Sequence, residues 1–385
     1  MSTIKQIACI STHYWDDAWF RKQHFMHRFW KKGYTIAYIE PSFSTVKSPD
    51  NDRVWYQKNR IFGVTTEERE KNLFIIKPPR GIPFWTQPII SRINYYYFSF
   101  NLANELKRLG FSDYILWIYK PEYAHALGIF KYKKLIFDIA DDLAAYNKTD
   151  ARKSSYVQNC MDFLVSQSDL VIVTAGTLYD KFRSASRKIV LIPNGFDAKN
   201  LSNSNIELPG DLKNAPSPRI GFIGTLFSFL DYELIEYVVR NNRDKSFVFV
   251  GACEDNSSRR WGAIVRNNSN VFWLGKKPKS EIPAYIKNFD VCINPFKVDA
   301  VSRSVSPLKV FEYLAQRKPV ISVQMESLQR EEAGKAVFFA KNYEDFNIGI
   351  ARALKGEFKD FPYDVIDRYS WEVLFNKAEE ALSEL

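Results

Sequence analysis

Short apolar runs alternate with amphipathic stretches along the chain. Residues 4–11 form an apolar run, and residues 18–32 carry Phe25 and Phe29 four apart and end at Gly33. Residues 34–40 are apolar again, and Pro41 stops them. This strand–helix–strand rhythm predicts a parallel, doubly wound sheet. Further strands are expected at 73–77, 114–119, 134–137, 170–174 and 188–192, with helices at 151–168 and 178–183. Residues 42–69 read as polar and irregular, and the Asn-, Ser- and Pro-rich segment 200–218 reads as a linker. The rhythm then restarts, with strands at 219–223, 246–250, 271–274, 291–294 and 319–323. Helices are expected at 231–241, 280–288, 308–316 and 370–382. The pattern predicts two α/β halves, 1–200 and 218–369.

Residues 81–104 carry one charge, Arg92, among many aromatic and aliphatic side chains. Ile93, Tyr97 and Phe100 repeat helically, so a helix packed on the sheet is one reading. The other is a membrane-surface or lipid-acceptor patch, because Trp85 and the tyrosines lie among Arg80, Arg92, Lys107 and Arg108. Charge sharpens this choice. Residues 1–200 hold 29 Lys+Arg against 19 Asp+Glu, whereas 201–385 hold 25 of each, so the whole excess of +10 lies in the first half. A basic half suits nucleic acid, anionic lipid or an anionic substrate. No Lys/Arg block exceeds two residues and no zinc-finger pattern occurs, which ranks nucleic acid low. The scattered Cys9, Cys160, Cys253 and Cys292 read as buried thiols rather than disulfides or metal ligands. No signal peptide or spanning helix is expected, so the cytoplasm is the default compartment.

The most informative stretch is 305–322. Its middle reads as a helix with Pro307 at the first position, where the absent N–H costs nothing. Lys309 and Glu312, three apart, neighbour each other on that helix. A cation with free N–H groups would hold phosphate, and a carboxylate would accept from sugar hydroxyls. A surface ion pair is the competing reading.

The run Pro307-Leu308-Lys309-x-x-Glu312-Tyr313-Leu314-Ala315-x-x-Lys318-Pro319-Val320-Ile321 resembles the nucleotide-sugar signature of GT-B glycosyltransferases. More narrowly, it resembles bacterial polysaccharide-assembly enzymes such as the teichuronic-acid glycosyltransferases and the xanthan glucuronosyltransferase. Pro193-Asn194-Gly195-Phe196-Asp197 is similar to the segment that closes the N-terminal domain in that fold. The resemblance implies two Rossmann-like domains facing across a cleft, with a C-terminal helix returning to the first. It implies that Lys309 contacts a donor diphosphate and Glu312 the donor ribose. It also places nucleobase recognition at Gly275 and Lys276. Gly224 and Thr225, at the end of the first strand of the second half, suit a diphosphate, with Ser306 and Arg303 adding contacts. Two departures favour inverting over retaining transfer. Ser304 stands where the retaining family carries a first Glu, and Phe227-Ser228-Phe229-Leu230 contains no basic pair.

An inverting transfer needs a base and stabilisation of the leaving diphosphate. Base candidates are Asp138, Asp141 and Asp142, which follow the strand at 134–137, and Asp16 with Asp17 after the first strand. His13 is a further candidate base or acceptor contact, as are Trp15, Trp85 and Arg92 on the acceptor side. Helix capping competes for each Asp. Asp50-Asn51-Asp52 matches the metal-binding DxD of other glycosyltransferases but follows Ser48-Pro49 in a hydrophilic loop and reads as a solvated turn.

The chain thus reads as a metal-independent, cofactor-free, inverting GT-B glycosyltransferase. Its partners would be a UDP-sugar and a lipid-linked saccharide acceptor, met at the inner membrane face during cell-surface polysaccharide synthesis. The alternatives are a UDP-sugar 2-epimerase or hydrolase, a retaining transferase using a GDP-sugar, and a non-catalytic binding module.

Overall fold

The structure is a computed structural model. It describes residues 5–17, 19–42, 62–83, 87–145, 150–198, 207–299 and 305–385, without the side chains of Asp255 and Asn256. The chain divides into two compact units. Unit 1 comprises Met1–Thr174, Leu178–Ile192 and Phe375–Leu385; unit 2 comprises Ala175–Thr177 and Pro193–Leu374.

In unit 1 the strands are β1 (Gln6–Ile10), β2 (Thr35–Ile39), β3 (Thr65–Glu70), β4 (Leu73–Lys77), β5 (Ile115–Ile118), β6 (Lys134–Ile139), β7 (Leu170–Val173) and β8 (Ile189–Leu191). They form one sheet in the order β3-β4-β2-β1-β5-β6-β7-β8. Every pairing is parallel except β3–β4. β5 and β7 read ILWI and LVIV because a parallel strand covered on both faces needs apolar side chains at every position. The helices include α1 (Arg21–Lys31), α2 (Pro88–Arg108) and α3 (Ala151–Gln167).

In unit 2, β9 (Arg219–Ile223), β10 (Ser246–Val250), β11 (Val271–Trp273), β12 (Val291–Asn294), β13 (Val320–Val323) and β14 (Val337–Ala340) form a parallel sheet ordered β11-β10-β9-β12-β13-β14. The helix α8 (Leu308–Ala315) lies in this unit, preceded in chain order by α4 (Gly176–Phe182), α5 (Tyr232–Asn241), α6 (Asp255–Asn267) and α7 (Ile282–Lys287). It is followed by α9 (Glu326–Gln329), α10 (Tyr343–Leu354) and α11 (Trp371–Ser383).

The differences from the expected elements have physical causes. β3, sequence TTEERE, falls in the segment expected to be irregular; it is an edge strand whose charged residues face water, so it carries no apolar signal. α6 was not expected because, of its described side chains, only Ser257, Trp261 and Ile264 are buried. β14 and α10 also lie beyond the expected elements. Pro307 is the cap of α8, with φ −78° and ψ 100°, and Leu308 is its first residue. In α2 the repeat Ile93, Tyr97, Phe100 does not mark the packed face: Ile93 is 49% and Phe100 61% exposed, while Tyr95, Phe98, Leu102 and Leu106 face the core.

Asp138 was expected just after its strand but lies within β6, fully buried. Arg21, the first residue of α1, donates from Nε to both Asp138 oxygens at 2.9 and 3.0 Å. Its Nη1 donates to the Ile192 carbonyl at 2.7 Å, and the Trp117 indole on β5 donates to Asp138 at 3.3 Å. One guanidinium therefore ties α1 to β6 and to the segment leaving β8.

Removing one member of a buried pair strands the other charge, at a cost of about 3–5 kcal/mol. Arg21→Ala is expected to lower unfolding free energy by that amount in urea titrations. Arg21→Met with Asp138→Leu together should recover most of it, whereas a double variant as unstable as the single one would show that the hydrogen bonds to Ile192 and Trp117 dominate.

Candidate functional site

In unit 2 the ends of three adjacent strands carry a row of glycines. Gly224 follows β9, Gly251 follows β10 and Gly275 follows β11, with φ of +136°, +156° and +66°. These angles favour glycine. The row is also tight: Gly224 N–H donates to Val250 at 2.9 Å and Gly251 N–H to Gly275 at 2.8 Å. A Cβ on Gly251 would stand 1.9 Å from the Gly224 carbonyl oxygen. Thr225, next along, is exposed, and neither its N–H nor its hydroxyl has a partner among the described residues. Lys276 is exposed beyond Gly275.

α8 faces this row. The Ile223 N–H at the end of β9 donates to the Tyr313 hydroxyl at 2.7 Å, which fixes the helix against the strand. The Lys309 side chain then reaches Gly224, where an added Cβ would meet Lys309 Cε at 3.0 Å and Nζ at 3.4 Å. Its ammonium sits 4.2 Å from the Phe296 ring centroid, 4.8 Å from that of Phe222 and 6.0 Å from that of Phe227. The rings hold the cation by their negative faces. The Phe227 segment, which lacks the basic pair of the resembled family, thus contributes an aromatic wall instead. Ser306, just before the helix, is buried with its hydroxyl unpartnered among the described residues, while its carbonyl accepts from Asn194 at 3.1 Å.

Lys309 and Glu312 form no ion pair with each other or with any described residue, which removes the surface-pair reading. Both keep partial solvent access, but the surrounding protein strips them of water. Burial pushes the Lys309 ammonium down to about 7 against the opposing charge of Glu312. Burial holds the Glu312 carboxyl above its usual range, opposed by Lys279 and Lys309 and reinforced by Asp197. A cation, a hydroxyl, an open N–H and the first-turn N–H groups of α8 can together receive a phosphate, and Glu312 can accept from a hydroxyl.

In unit 1 the loop after β1 meets the start of α1. Lys22, 5% exposed, directs its ammonium to His13 Nδ1 at 3.1 Å and lies 5.0 Å from the Tyr119 ring centroid. Burial pushes Lys22 down to about 8, with Asp141, Asp138 and Cys9 raising it and Arg21 lowering it further. Asp141 is half-buried, and its carboxylate has no hydrogen bond or ion pair among the described residues. Burial raises Asp141 to about 6, opposed by Lys22 and reinforced by Asp142.

The acidic candidates therefore separate. Asp138 is consumed by Arg21 and is no free base. Asp142 accepts from Ala145 N–H at 3.2 Å and pairs with Lys181 at 2.8 Å. Asp17 accepts from Tyr14 N–H at 3.3 Å, and Asp16 is held by Arg69 at 2.9 Å. Asp141 alone of the group combines an unengaged carboxylate with a pKa near neutrality, the balance a general base needs. His13 does not suit that role: burial, then Lys22, lowers it to about 3. Trp15 is not offered to a ligand. It is 6% exposed, edge-on to Tyr38 at 5.0 Å, and its backbone N–H donates to Glu40. Arg92 is exposed on α2. Trp85, Arg303 and Asp50-Asn51-Asp52 lie outside the described residues. Among the described residues no group of three His, Cys, Asp or Glu gathers as a metal would require. None of the four cysteines forms a disulfide; Cys253 is partly exposed and the others are buried.

Sequence reasoning passed over Lys22 and Gly251. A signal for Lys22 existed: Arg21 and Lys22 open a helix whose first turn holds no acid, against the preference of the helix dipole.

Residues 217–356 match the family Glycosyl transferases group 1, a span within unit 2. The Bacillus subtilis (strain 168) protein TuaH, assigned as a teichuronic acid biosynthesis glycosyltransferase, is 26% identical over 226 residues, 56% of this chain and 56% of TuaH. Among solved structures, sucrose-phosphate synthase from Thermosynechococcus elongatus gives a TM-score of 0.69 at 14% identity, over 99% of this chain and 98% of that one. An E. coli trehalose-6-phosphate protein bound with UDP-2-fluoro glucose gives 0.73 at 12% identity, over 99% of each chain. Anabaena HepE in complex with UDP-glucose gives 0.70 at 13% identity, over 99% of this chain and 100% of that one. The fold is GT-B.

The stability cost of Lys309 is open to measurement. Its unfolded value is near 10.5 and its folded value about 7, so between these the unfolded chain binds more protons and the Lys309 contribution to stability rises with pH. Lys309→Met is expected to raise the melting temperature at pH 7, by about 2–4 °C per kcal/mol of relief, and to flatten that rise. A lower melting temperature would mean that the aromatic cage outweighs desolvation.

Proposed function

We propose that the protein is a glycosyltransferase that moves a sugar from a UDP-sugar to a saccharide acceptor in polysaccharide biosynthesis. The observation that carries this reading is the unpaired Lys309 and Glu312 on α8, with Lys309 reaching Gly224 of the glycine row inside the matched domain. TuaH and the UDP-sugar complexes of the two structural neighbours support the same chemistry.

In this reading unit 2 holds the donor. Lys309, Thr225 and the α8 N–H groups receive the diphosphate, Ser306 adds a hydroxyl contact, and Glu312 accepts from the ribose. The strand-end segment at Gly275 and Lys276 borders the nucleobase. Unit 1 supplies the base. Asp141 takes the proton of the acceptor hydroxyl as its oxygen bonds to the anomeric carbon. The bond to the β-phosphate breaks, and its electron pair leaves on UDP. A single displacement inverts the anomeric centre. The cation and dipoles that meet the leaving charge belong to the protein, so the reaction proceeds without a metal.

UDP release from a UDP-sugar and a saccharide acceptor is expected to persist in EDTA. Asp141→Asn should lower kcat by about 10²–10⁴-fold while leaving UDP-sugar affinity intact. Loss in EDTA with rescue by Mn²⁺ would overturn the metal-independent mechanism, and an active Asp141→Asn would remove the assigned base.

The acceptor is proposed to be lipid-linked. No helix among the described residues is long and apolar enough to cross a membrane. α2, however, presents Ile89, Ile93, Tyr96 and Phe100 to solvent at 74%, 49%, 48% and 61% exposure, with Arg92 between them. An apolar stripe beside basic residues suits an anionic bilayer surface, where each basic group contributes about 1 kcal/mol. The protein should sediment with phosphatidylglycerol vesicles at low salt and detach at high salt. Ile93→Ser with Phe100→Ser should abolish the association, and indifference of the wild type to vesicles would argue for a soluble acceptor.

A further inference from the structure

Lys22 is the residue of unit 1 whose situation the proposed reaction does not yet explain. It is a 95% buried cation by its 5% exposure, and it has no carboxylate at ion-pair distance among the described residues. Asp138, one of the carboxylates acting on it, is already held through both oxygens by Arg21. Buried charges ordinarily acquire a partner of opposite sign. Lys22 has instead an imidazole nitrogen at 3.1 Å and a tyrosine ring at 5.0 Å.

An ammonium has hydrogens and no lone pair, so it donates to His13 Nδ1 and that nitrogen must accept. The Thr12 hydroxyl, 3.1 Å from the same atom, can at most share that one lone pair and receives no proton from it. The neutral ring then carries its proton on Nε2, which makes no hydrogen bond to a described residue. Protonating Nδ1 would set two cations 3.1 Å apart, so the ring stays neutral.

We propose that Lys22 is a positioning residue: its ammonium is the electrostatic partner of Asp141 and locks His13 in the Nε2–H tautomer, which leaves that nitrogen as a donor for an acceptor oxygen. The Asp141 half of this rests on the role proposed above; the His13 half does not. The charged groups acting on Asp141 are Lys22 of α1 and Asp142 of its own loop, and of these only Lys22 favours the carboxylate. The groups acting on Lys22 are Asp141, Asp138 and Cys9, with Arg21 opposing them. The oxygen met by His13 Nε2–H would belong to a hydroxyl or phosphate, both of which accept.

Removing the Lys22 charge should raise the Asp141 pKa, because the lowering influence disappears and burial remains. The wild-type acidic limb of kcat/KM is expected near pH 6, and Lys22→Met should move it upward by about one unit or more. At pH 6 the wild type would then run at about half of its own plateau and the variant at about a tenth of its own, roughly a fivefold relative loss. Lys22→Arg should keep the limb in place. A residue of merely structural importance would lower the plateau and leave the limb unmoved. In parallel, ¹⁵N spectra of the histidines and ¹³C titration of Asp141 are read on the full-length protein without substrate. The wild type should show His13 as the Nε2–H form from pH 5 to 8, and Lys22→Met should show a mixture of tautomers and a higher Asp141 titration point. If the spectra shift but the rate profile does not, the inference about Lys22 stands and Asp141 is not the base. If His13 and Asp141 titrate identically in wild type and Lys22→Met, the inference is wrong.

Discussion

The buried pair of Arg21 and Asp138 is the constraint on which unit 1 depends. A guanidinium placed at the first residue of α1 opposes the helix dipole, and a carboxylate in the middle of a parallel sheet opposes burial. Each is tolerated because of the other. The Nε–H is shared between both carboxylate oxygens while Nη1, held rigidly in the same plane, donates to Ile192, a geometry Lys could not reproduce. The next residue on the helix, Lys22, reaches His13 in the loop after β1. The cation that acts on the proposed base is thus the sequence neighbour of an ion pair that takes no part in the chemistry.

The two units share an electrostatic strategy. Each sets a lysine in surroundings that penalise its charge and withholds a carboxylate from it. Lys309 is backed by Phe222 and Phe296, and Lys22 by Tyr119 and neutral His13. An ammonium held this way has a pKa within reach of neutrality and responds strongly to an arriving anion or a nearby acid. The same groups, paired on the surface, would be screened and inert.

Much of the fold was legible because the strands of parallel sheets are apolar at every position. β9, β10 and β12 occupy the spans read from their runs alone. Elements whose signal is not apolar were missed: β3 is charged because it is an edge, and α6 buries a narrow face. Lys309 and Glu312 stood out because their spacing on a short helix is local information. Asp138 misled because β6 continues through it, and whether a carboxylate is free or paired depends on Arg21, 117 positions away. Lys22 went unread for the same reason: its neighbours His13 and Tyr119 come from the segments after β1 and β5, and no local pattern joins them.

The eight-stranded sheet has two rims, and they are finished differently. β3 closes one with four exposed charged side chains, Glu67, Glu68, Arg69 and Glu70. β8 closes the other with three residues, IVL, none of them buried, and Leu191 at 38% exposure. Beside β8, Lys188 donates to the Ala381 carbonyl and pairs with Glu384, so the C-terminal turn of α11 stands guard there. An open apolar strand recruits other strands. Shortening the chain behind Phe375 would therefore do more than trim a helix. It would bare a hydrophobic rim to neighbouring molecules, and the first symptom would be clumping in the expressing cell.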